Sequence, residues 1–372
     1  MKTKRKVWPR AALTAVLSLA LLAVLGILAF RAMDGDRSVL AAQTTTEPSQ
    51  SALPTFTPVP SPTPVPTPSP TPTLAPDLPA VLTLVGDDPL EITACPYPYE
   101  DPGCTAWDET DGDLTDRITV ETDVCPYHAG EGSVTYTVID SVGHISTAVR
   151  RVVVVRAPQP ETVEPEGRVI YLTFDDGPSE NTLHLLDILD RYDVKVTFFV
   201  VGIMEDYLPY IREMAARGHT VAIHSATHDY GTIYASEEAY FQDLTAMQDI
   251  IYEQTGQRPT IVRFPGGGSN TASCFNPGIM TTLAQDLEDM GYRYYDWNVS
   301  AQDASFTANY RSTLNNVRNY LTEYPYAVVL MHETQLFSVN AVPEIIRYAL
   351  SKGYEFRALD PSCPVVHHPM LN

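Results

Sequence analysis

Basic residues are scarce in this chain: 24 Lys and Arg stand against 46 Asp and Glu in 372 residues, a formal net charge of −22. A polyanionic partner such as nucleic acid needs a basic face to neutralise its phosphates, so no nucleic-acid function is expected. Cysteine is sparse too, with five residues at 95, 104, 125, 274 and 363. Their spacings match no zinc ribbon and leave disulfide connectivity open, a Cys274–Cys363 bridge or two buried thiols included. Long apolar runs are absent except for residues 11–30, which carry no charge. No glycine-rich nucleotide loop follows a strand-like run, which argues against an open doubly wound sheet.

The apolar run follows Lys2, Lys4, Arg5, Lys6 and Arg10, and about 20 residues is the length of a bilayer-crossing helix. Phe30, Arg31 and Ala32 follow it where a signal peptide would place a small-x-small cleavage site. Residues 1–42 therefore read as a cytoplasmic basic tail and single-pass transmembrane anchor, with everything after them extracytoplasmic. A cleaved signal, which would leave the remainder secreted, is the alternative. Residues 43–79 form a Pro/Ser/Thr tract, a stiff, extended spacer between membrane and folded payload.

From 80 to 157 the pattern becomes short alternating runs, "AVLTLVG", "PLEITA", "RITVET", "GSVTYTVID" and "TAVRRVVVV". Alternation with turn clusters between runs predicts a small antiparallel β-sandwich. The acidic residues Asp108, Glu109, Asp111 and Asp113 miss the spacing of a helix-loop-helix calcium site and read as a solvated turn.

From 165 to 372 the rhythm changes again. Seven strand-like runs, "VIYLTF", "VKVTFFVVG", "TVAIH", "TIVRF", "YRYYDWNV", "YAVVLMH" and "YEFRAL", alternate with six helical segments. Such a series predicts an α/β fold, a distorted (β/α) barrel of about seven strands. In a barrel of this kind the reactive groups sit at the carboxyl ends of the strands. Those ends carry Asp175, Asp176, His224, Arg263, Asp303 and His332, whereas the opposite ends carry Arg168, Asp193, Thr220, Pro259 and Gly291, no coherent reactive set.

His224 and His228 are four apart in "HSATH", so a helical turn after the strand would aim both imidazoles at one ion. A carboxylate from a neighbouring strand completes three ligands with a fourth position open, the pattern of a catalytic rather than a structural site. The set suits Zn2+, or Co2+ or another first-row ion, which makes water nucleophilic near neutral pH. Of the adjacent carboxylates Asp175 and Asp176, one can then hold the ion while the other acts as base. His367 and His368 fall in a tail expected to be flexible.

Residues 168–360 resemble the polysaccharide deacetylase family, the NodB-homology carbohydrate esterases, through "TFDDGP", "HSATH", "RFPGG", "NVSAQDA" and "VLMH" in that order. The stretches "EDPGCTAWDETDGDLTDRITV" and "GSVTYTVIDSVGHISTAVRRVVVV" resemble a bacterial immunoglobulin-like surface module. The first resemblance implies Asp175 as catalytic base, Asp176, His224 and His228 as metal ligands, and His332 as the acid that protonates the leaving amine. It also implies that Arg263 positions the base, that Gly266 lends a backbone N–H to the oxyanion, and that Pro265 and Leu330 lie on the substrate side.

Aligning the fourth motif on "WNVSAQDA" makes Asp303 the partner of Arg263 and puts Ala304 where the family has Trp; the literal Asp296-Trp297 is the competing placement. Gly266 stands where the family often has Tyr, removing an aromatic wall from the groove. The implied activity is removal of the N-acetyl group from N-acetylglucosamine-type residues, with peptidoglycan favoured as polymer because a tethered enzyme reaches only what lies near the membrane. De-O-acetylation of a polysaccharide such as acetylated xylan and a non-catalytic wall-binding role are the alternatives.

Overall fold

The computed structural model describes residues 77–372. The expected anchor and nearly all of the spacer lie outside the described residues. No helix among the described residues is long and apolar enough to cross a membrane.

Seven strands occupy the first module: β1 (Val81–Leu84), β2 (Leu90–Thr93), β3 (Cys104–Asp108), β4 (Gly112–Asp113), β5 (Thr119–Thr122), β6 (Gly130–Ile139) and β7 (Ile145–Val155). They form two sheets, β1-β3-β4 and β2-β7-β6-β5. Alternation along β6 explains the packing, since Val134, Tyr136 and Val138 are buried while their neighbours face outward. The expected sandwich is present, but β3 and β4 were not anticipated, and β2 pairs β7 in parallel rather than antiparallel. Arg150 lies wholly inside this core, 3.3 Å from Asp101 and donating to the Gly103 carbonyl. The acidic turn is occupied with backbone, as Asp108 accepts from the N–H groups of Thr110 and Asp111 and Asp113 from that of Thr115.

The second module contains β8 (Arg168–Gly177), β9 (Thr197–Val201), β10 (Thr220–Ser225), β11 (Ile261–Val262), β12 (Arg293–Tyr294), β13 (Val299–Ser300), β14 (Tyr326–His332) and β15 (Tyr354–Phe356). They form one parallel sheet in the order β12-β11-β10-β9-β8-β14-β13, and β15 adds to the amino-terminal part of β8. Helices α1 (Thr182–Tyr192), α2 (Tyr210–Ala216), α3 (Tyr230–Ile233), α4 (Glu237–Thr255), α5 (Ile279–Asp289), α6 (Tyr310–Leu321) and α7 (Leu336–Ser351) fill the crossovers. Burial on both faces explains the near-continuous apolar runs; all five residues of β9 are buried.

Two element boundaries differ from expectation. "YRYYDWNV" is two short strands, because the chain crosses from one end of the sheet to the other within it. Tyr295 donates to the Val262 carbonyl beside β11, Asp296 to that of Val366, and Asn298 to that of Val328 on β14. The two end strands are thus joined through residues 295–298 rather than paired, and the barrel is incompletely closed. The last expected helical segment, "VPEIIRYALSKG", starts earlier in the fold, as α7 begins at Leu336 and buries Val339, Ala341 and Val342.

The carboxyl-terminal segment is docked, not flexible. His367 stacks on Tyr294 with ring centroids 3.7 Å apart, His368 donates its N–H to Asp296 at 2.7 Å, and the Asn372 amide donates to the carbonyls of Ser273 and Asn276. All five cysteines are unpaired, Cys274 exposed and Cys363 buried.

Candidate active site

Parallel pairing sets β8 and β14 side by side, with Asp175 opposite His332 and Thr173 opposite Leu330. Side chains two apart on a strand share a face, so Asp175 and Thr173 face the same way, as do His332 and Leu330. Arg263, just past β11, reaches this face completely buried. Its Nη1 donates to Asp175 Oδ1 at 2.8 Å and to Thr173 Oγ1 at 2.6 Å, its Nε to the Tyr295 carbonyl and its Nη2 to that of Asp296. The Phe199 ring lies 4.1 Å from the guanidinium carbon, a cation–π contact that helps hold the charge out of water. Asp175 is thereby fixed as a buried, charge-paired carboxylate.

Asp176 turns the other way. Its φ of +65° is a left-handed conformation that side chains other than glycine rarely adopt. Next to it, a Cβ on Gly177 would collide with the carboxylate of Glu333. Glu333 is itself fully buried and accepts from Thr182 Oγ1 at 2.7 Å, tying the turn after β8 to α1. Burial pushes its carboxyl up to about 7.

The second cluster forms around Asp176. Its Oδ1 stands 3.4 Å from His224 Nε2 and 3.3 Å from His228 Nε2. Nitrogen and oxygen ligands on a tetrahedral ion with bonds of about 2.0–2.1 Å stand roughly 3.4 Å apart. The same Oδ1 is enclosed and has no hydrogen-bond partner among the described residues, and His224 uses Nδ1 on the Arg263 carbonyl at 2.8 Å, leaving Nε2 inward. These three residues fit a divalent metal. Burial opposes ionisation of Asp176, but the close approach and charge of His224, with the charges of His332 and His228, outweigh it and hold the carboxyl below its usual range.

The two imidazoles converge without the expected helical turn. Residues 226–229 form a bend, His228 has φ +53°, and α3 starts only at Tyr230. Asp243 of α4 makes the bend, accepting from Ser225 Oγ, from the N–H groups of Ala226 and Thr227, and from Thr227 Oγ1, all at 2.7–2.9 Å.

Asp303 is not the partner of Arg263. Its Oδ1 is 2.8 Å from His332 Nδ1, and its Oδ2 accepts from the His332 N–H and from Ser338 Oγ. The reason is strand order, since β13 neighbours β14 while β11 lies on the far side of β8. The competing Asp296 meets Arg263 only through its carbonyl, and its carboxylate accepts from the N–H groups of Gly268 and His368. Burial disfavours the charged form of His332, but the hydrogen bond and charge of Asp303, with Asp175 and Asp176 behind, raise it to about 9. Its Nε2 faces Asp176 Oδ2 at 3.9 Å.

Gly266 has φ +77°, and a Cβ there would lie 3.0 Å from Asn270 Cβ and 3.2 Å from the Tyr230 ring. The space a side chain at 266 would enter is thus already bounded by Tyr230, so the groove is not simply widened as its sequence suggests. The Pro265 carbonyl accepts from Tyr234 Oη at 2.8 Å, which pins this turn. The Gly266 N–H has no acceptor among the described residues.

Sequence reasoning missed Asp243, Glu333, Thr173 and Tyr230. A charged residue on the apolar face of α4, beside Tyr240, Leu244 and Met247, was the available signal for Asp243.

The family described as polysaccharide deacetylase matches residues 162–295, and that of a bacterial surface protein Ig-like domain matches 82–155. A peptidoglycan-N-acetylglucosamine deacetylase of Bacillus cereus is 33% identical over 199 residues, covering 52% of this chain and 70% of that protein. A peptidoglycan-N-acetylmuramic acid deacetylase of Bacillus subtilis is 33% identical over 204 residues, 54% of this chain and 40% of its own length. The crystal structure of the catalytic domain of peptidoglycan N-acetylglucosamine deacetylase from Eubacterium rectale superposes with a TM-score of 0.56 at 48% identity, over 57% of this chain and 98% of that one. The chain belongs to the polysaccharide deacetylase family, as a hydrolase that carries a bacterial Ig-like surface module ahead of its catalytic domain.

Proposed function

We propose that this hydrolase is a metal-dependent N-deacetylase of N-acetylglucosamine-type residues in peptidoglycan. One observation carries the reading: an arginine-locked carboxylate and an aspartate-locked imidazole stand in register on adjacent strands, beside an Asp-His-His triad. The substrates named for the Bacillus and Eubacterium relatives support the choice of polymer.

Asp176, His224 and His228 would hold the ion, Zn2+ or another first-row divalent cation. Bound there, it would supply Lewis-acid polarisation of the acetamide and a water of lowered pKa. Asp175, oriented by Arg263, accepts the proton of the attacking water. The Gly266 N–H donates to the oxygen that gains negative charge as the carbonyl becomes tetrahedral. His332, kept cationic by Asp303, gives its proton to the departing amine nitrogen, so that acetate and a free amine leave. Pro265 and Leu330 border the acetyl end.

The domain extents proposed are an anchor within residues 1–42, a spacer over 43–79, the Ig-like module over 80–157 and the catalytic domain over 165–372. Acetate release from peptidoglycan, chitin oligomers and acetylated xylan tests the whole reading. Release from the N-acetylated polymers that stops on chelation and returns on reloading is expected. Release from xylan alone would assign the site to esters, and no release from any metal-loaded sample would leave a binding protein.

A further inference from the structure

The loop between β5 and β6 leaves the Ig-like module and lies against the catalytic domain. Tyr127 packs on Phe241 with centroids 4.6 Å apart, and Ala129 donates its N–H to Asp289 at 2.8 Å. On this loop Cys125 and His128 meet Glu237, the first residue of α4, and Asp286 of α5. Cys125 Sγ is 3.5 Å from His128 Nδ1 and 3.8 Å from Glu237 Oε2, and the same His128 Nδ1 is 3.4 Å from Asp286 Oδ1.

Cys125, His128 and Glu237 offer ligand atoms that all lie within 4.8 Å of one another. With bonds of about 2.3 Å to sulfur and 2.0–2.1 Å to nitrogen and oxygen, a sulfur and a nitrogen or oxygen ligand on zinc stand roughly 3.6 Å apart. The Cys125–His128 and Cys125–Glu237 distances lie near that value, and the second joins the two modules. Independently, Asp286 is 1% exposed and its Oδ2 has no hydrogen-bond partner among the described residues. Its neighbours add negative charge rather than relieve it: burial, then Glu237 and Asp289, push its carboxyl up to about 7. The nearby Arg156 is engaged by Asp289 at 2.9 Å. A buried carboxylate among other acids is stable when a cation joins it. Simple protonation of Asp286 would neutralise that residue but would not gather a thiol, an imidazole and a second carboxylate around it.

We propose that Cys125, His128 and Glu237 bind a zinc-type ion that clamps the Ig-like module to the catalytic domain, with the buried Asp286 carboxylate beside His128 adding negative charge to the site. A thiolate and an imidazole select a borderline first-row divalent ion over calcium or magnesium, which take oxygen. Cys125 and His128 come from the Ig-like module and Glu237 from α4 of the catalytic domain, so the ion would tie the two modules together, and none of the three belongs to the triad around Asp176.

The test is cobalt titration of the full chain with its thiols reduced and its metal stripped. Two equivalents are expected, one of them with the near-ultraviolet thiolate-to-cobalt charge-transfer band that an Asp-His-His site cannot give. Cys125→Ser should bind one equivalent, lose the band and still release acetate when loaded. Asp286→Asn should keep the band and weaken the second equivalent by roughly 10–100-fold, as loss of an outer-shell partner does. A single equivalent without a thiolate band in the unmutated chain, with Cys125 shown to be reduced by thiol titration, would overturn the proposal and leave the catalytic site untouched. Finding Cys125 oxidised in the exported protein would overturn it equally.

Discussion

Replacing Asp303 with Asn should move the alkaline limb of the deacetylation rate rather than merely lower the rate. Asp303 meets His332 twice, at Nδ1 and at the backbone N–H, and takes Ser338 Oγ on the same oxygen as the latter. The imidazole is raised to about 9 against a burial effect that pushes the other way. A raised histidine stays protonated, and remains an acid, until pH climbs through its folded-state value. Without the Asp303 charge, burial carries it back toward or below about 6.5, a fall of at least two units or roughly 3 kcal/mol between its two protonation states. At about pH 8 the protonated fraction then drops roughly 30-fold, while at about pH 6 it changes by less than a factor of two. The assay is acetate release from chitin oligomers at saturating substrate across that range, with both proteins metal-loaded so that the ion's influence on His332 is common to them. The amide also leaves a donor facing the His332 N–H or Ser338 Oγ, costing about 1–3 kcal/mol of stability, so folding is checked at each pH by circular dichroism. An equal loss of rate at every pH, with the limb unmoved, would refute the claim that Asp303 acts through the charge of His332.

Three further outcomes follow from the same geometry. Asp175→Asn should retain metal, because the triad belongs to Asp176, His224 and His228, yet lose turnover by about 100-fold or more for want of a base. His228→Ala should lose both, and equal metal content and equal rates in the two variants would show the roles wrongly divided. Gly266→Ala places a Cβ at φ +77° against Asn270 and Tyr230 and should lower stability by about 1–3 kcal/mol. Adding Tyr230→Ala should recover only the part due to the ring, read as a coupling energy from thermal melts. In the Ig-like module, Arg150→Ala should cost about 3–5 kcal/mol by stranding Asp101 beside a cavity, seen in calorimetry as loss of stability with the metal content of the triad unchanged.

The candidate residues at the strand ends were legible because a parallel β/α fold places chemistry at the carboxyl ends of its strands, and strand ends can be read from apolar runs. Which of those residues touch one another depends on strand order, and order is not written in the runs. Asp303 illustrates the difference: its position past a strand was evident, but its partner changed from Arg263 to His332 once β13 proved to lie beside β14. The supporting residues Asp243 and Glu333 were hidden for a second reason. Each is a carboxylate on a buried face, unfavourable unless backbone or hydroxyl donors meet it, and those donors sit 16 to 18 residues away for Asp243 and about 150 for Glu333.

Gly266 shows how a substitution can be misread when it is considered alone. As a sequence change it subtracts a side chain and widens a groove. In the fold, Tyr230 comes from the far end of the "HSATH" bend to within 3.2–3.3 Å of where that side chain would start. A large residue at 266 and the ring of Tyr230 compete for one space, so either can border the site but not both. Tyr230 therefore bounds the space beside Gly266, and the bend that leads to it is held by Asp243 on α4 through residues 225–227. A shift of the helix that begins with Glu237 would therefore reach the bend carrying His228 before it reached Tyr230.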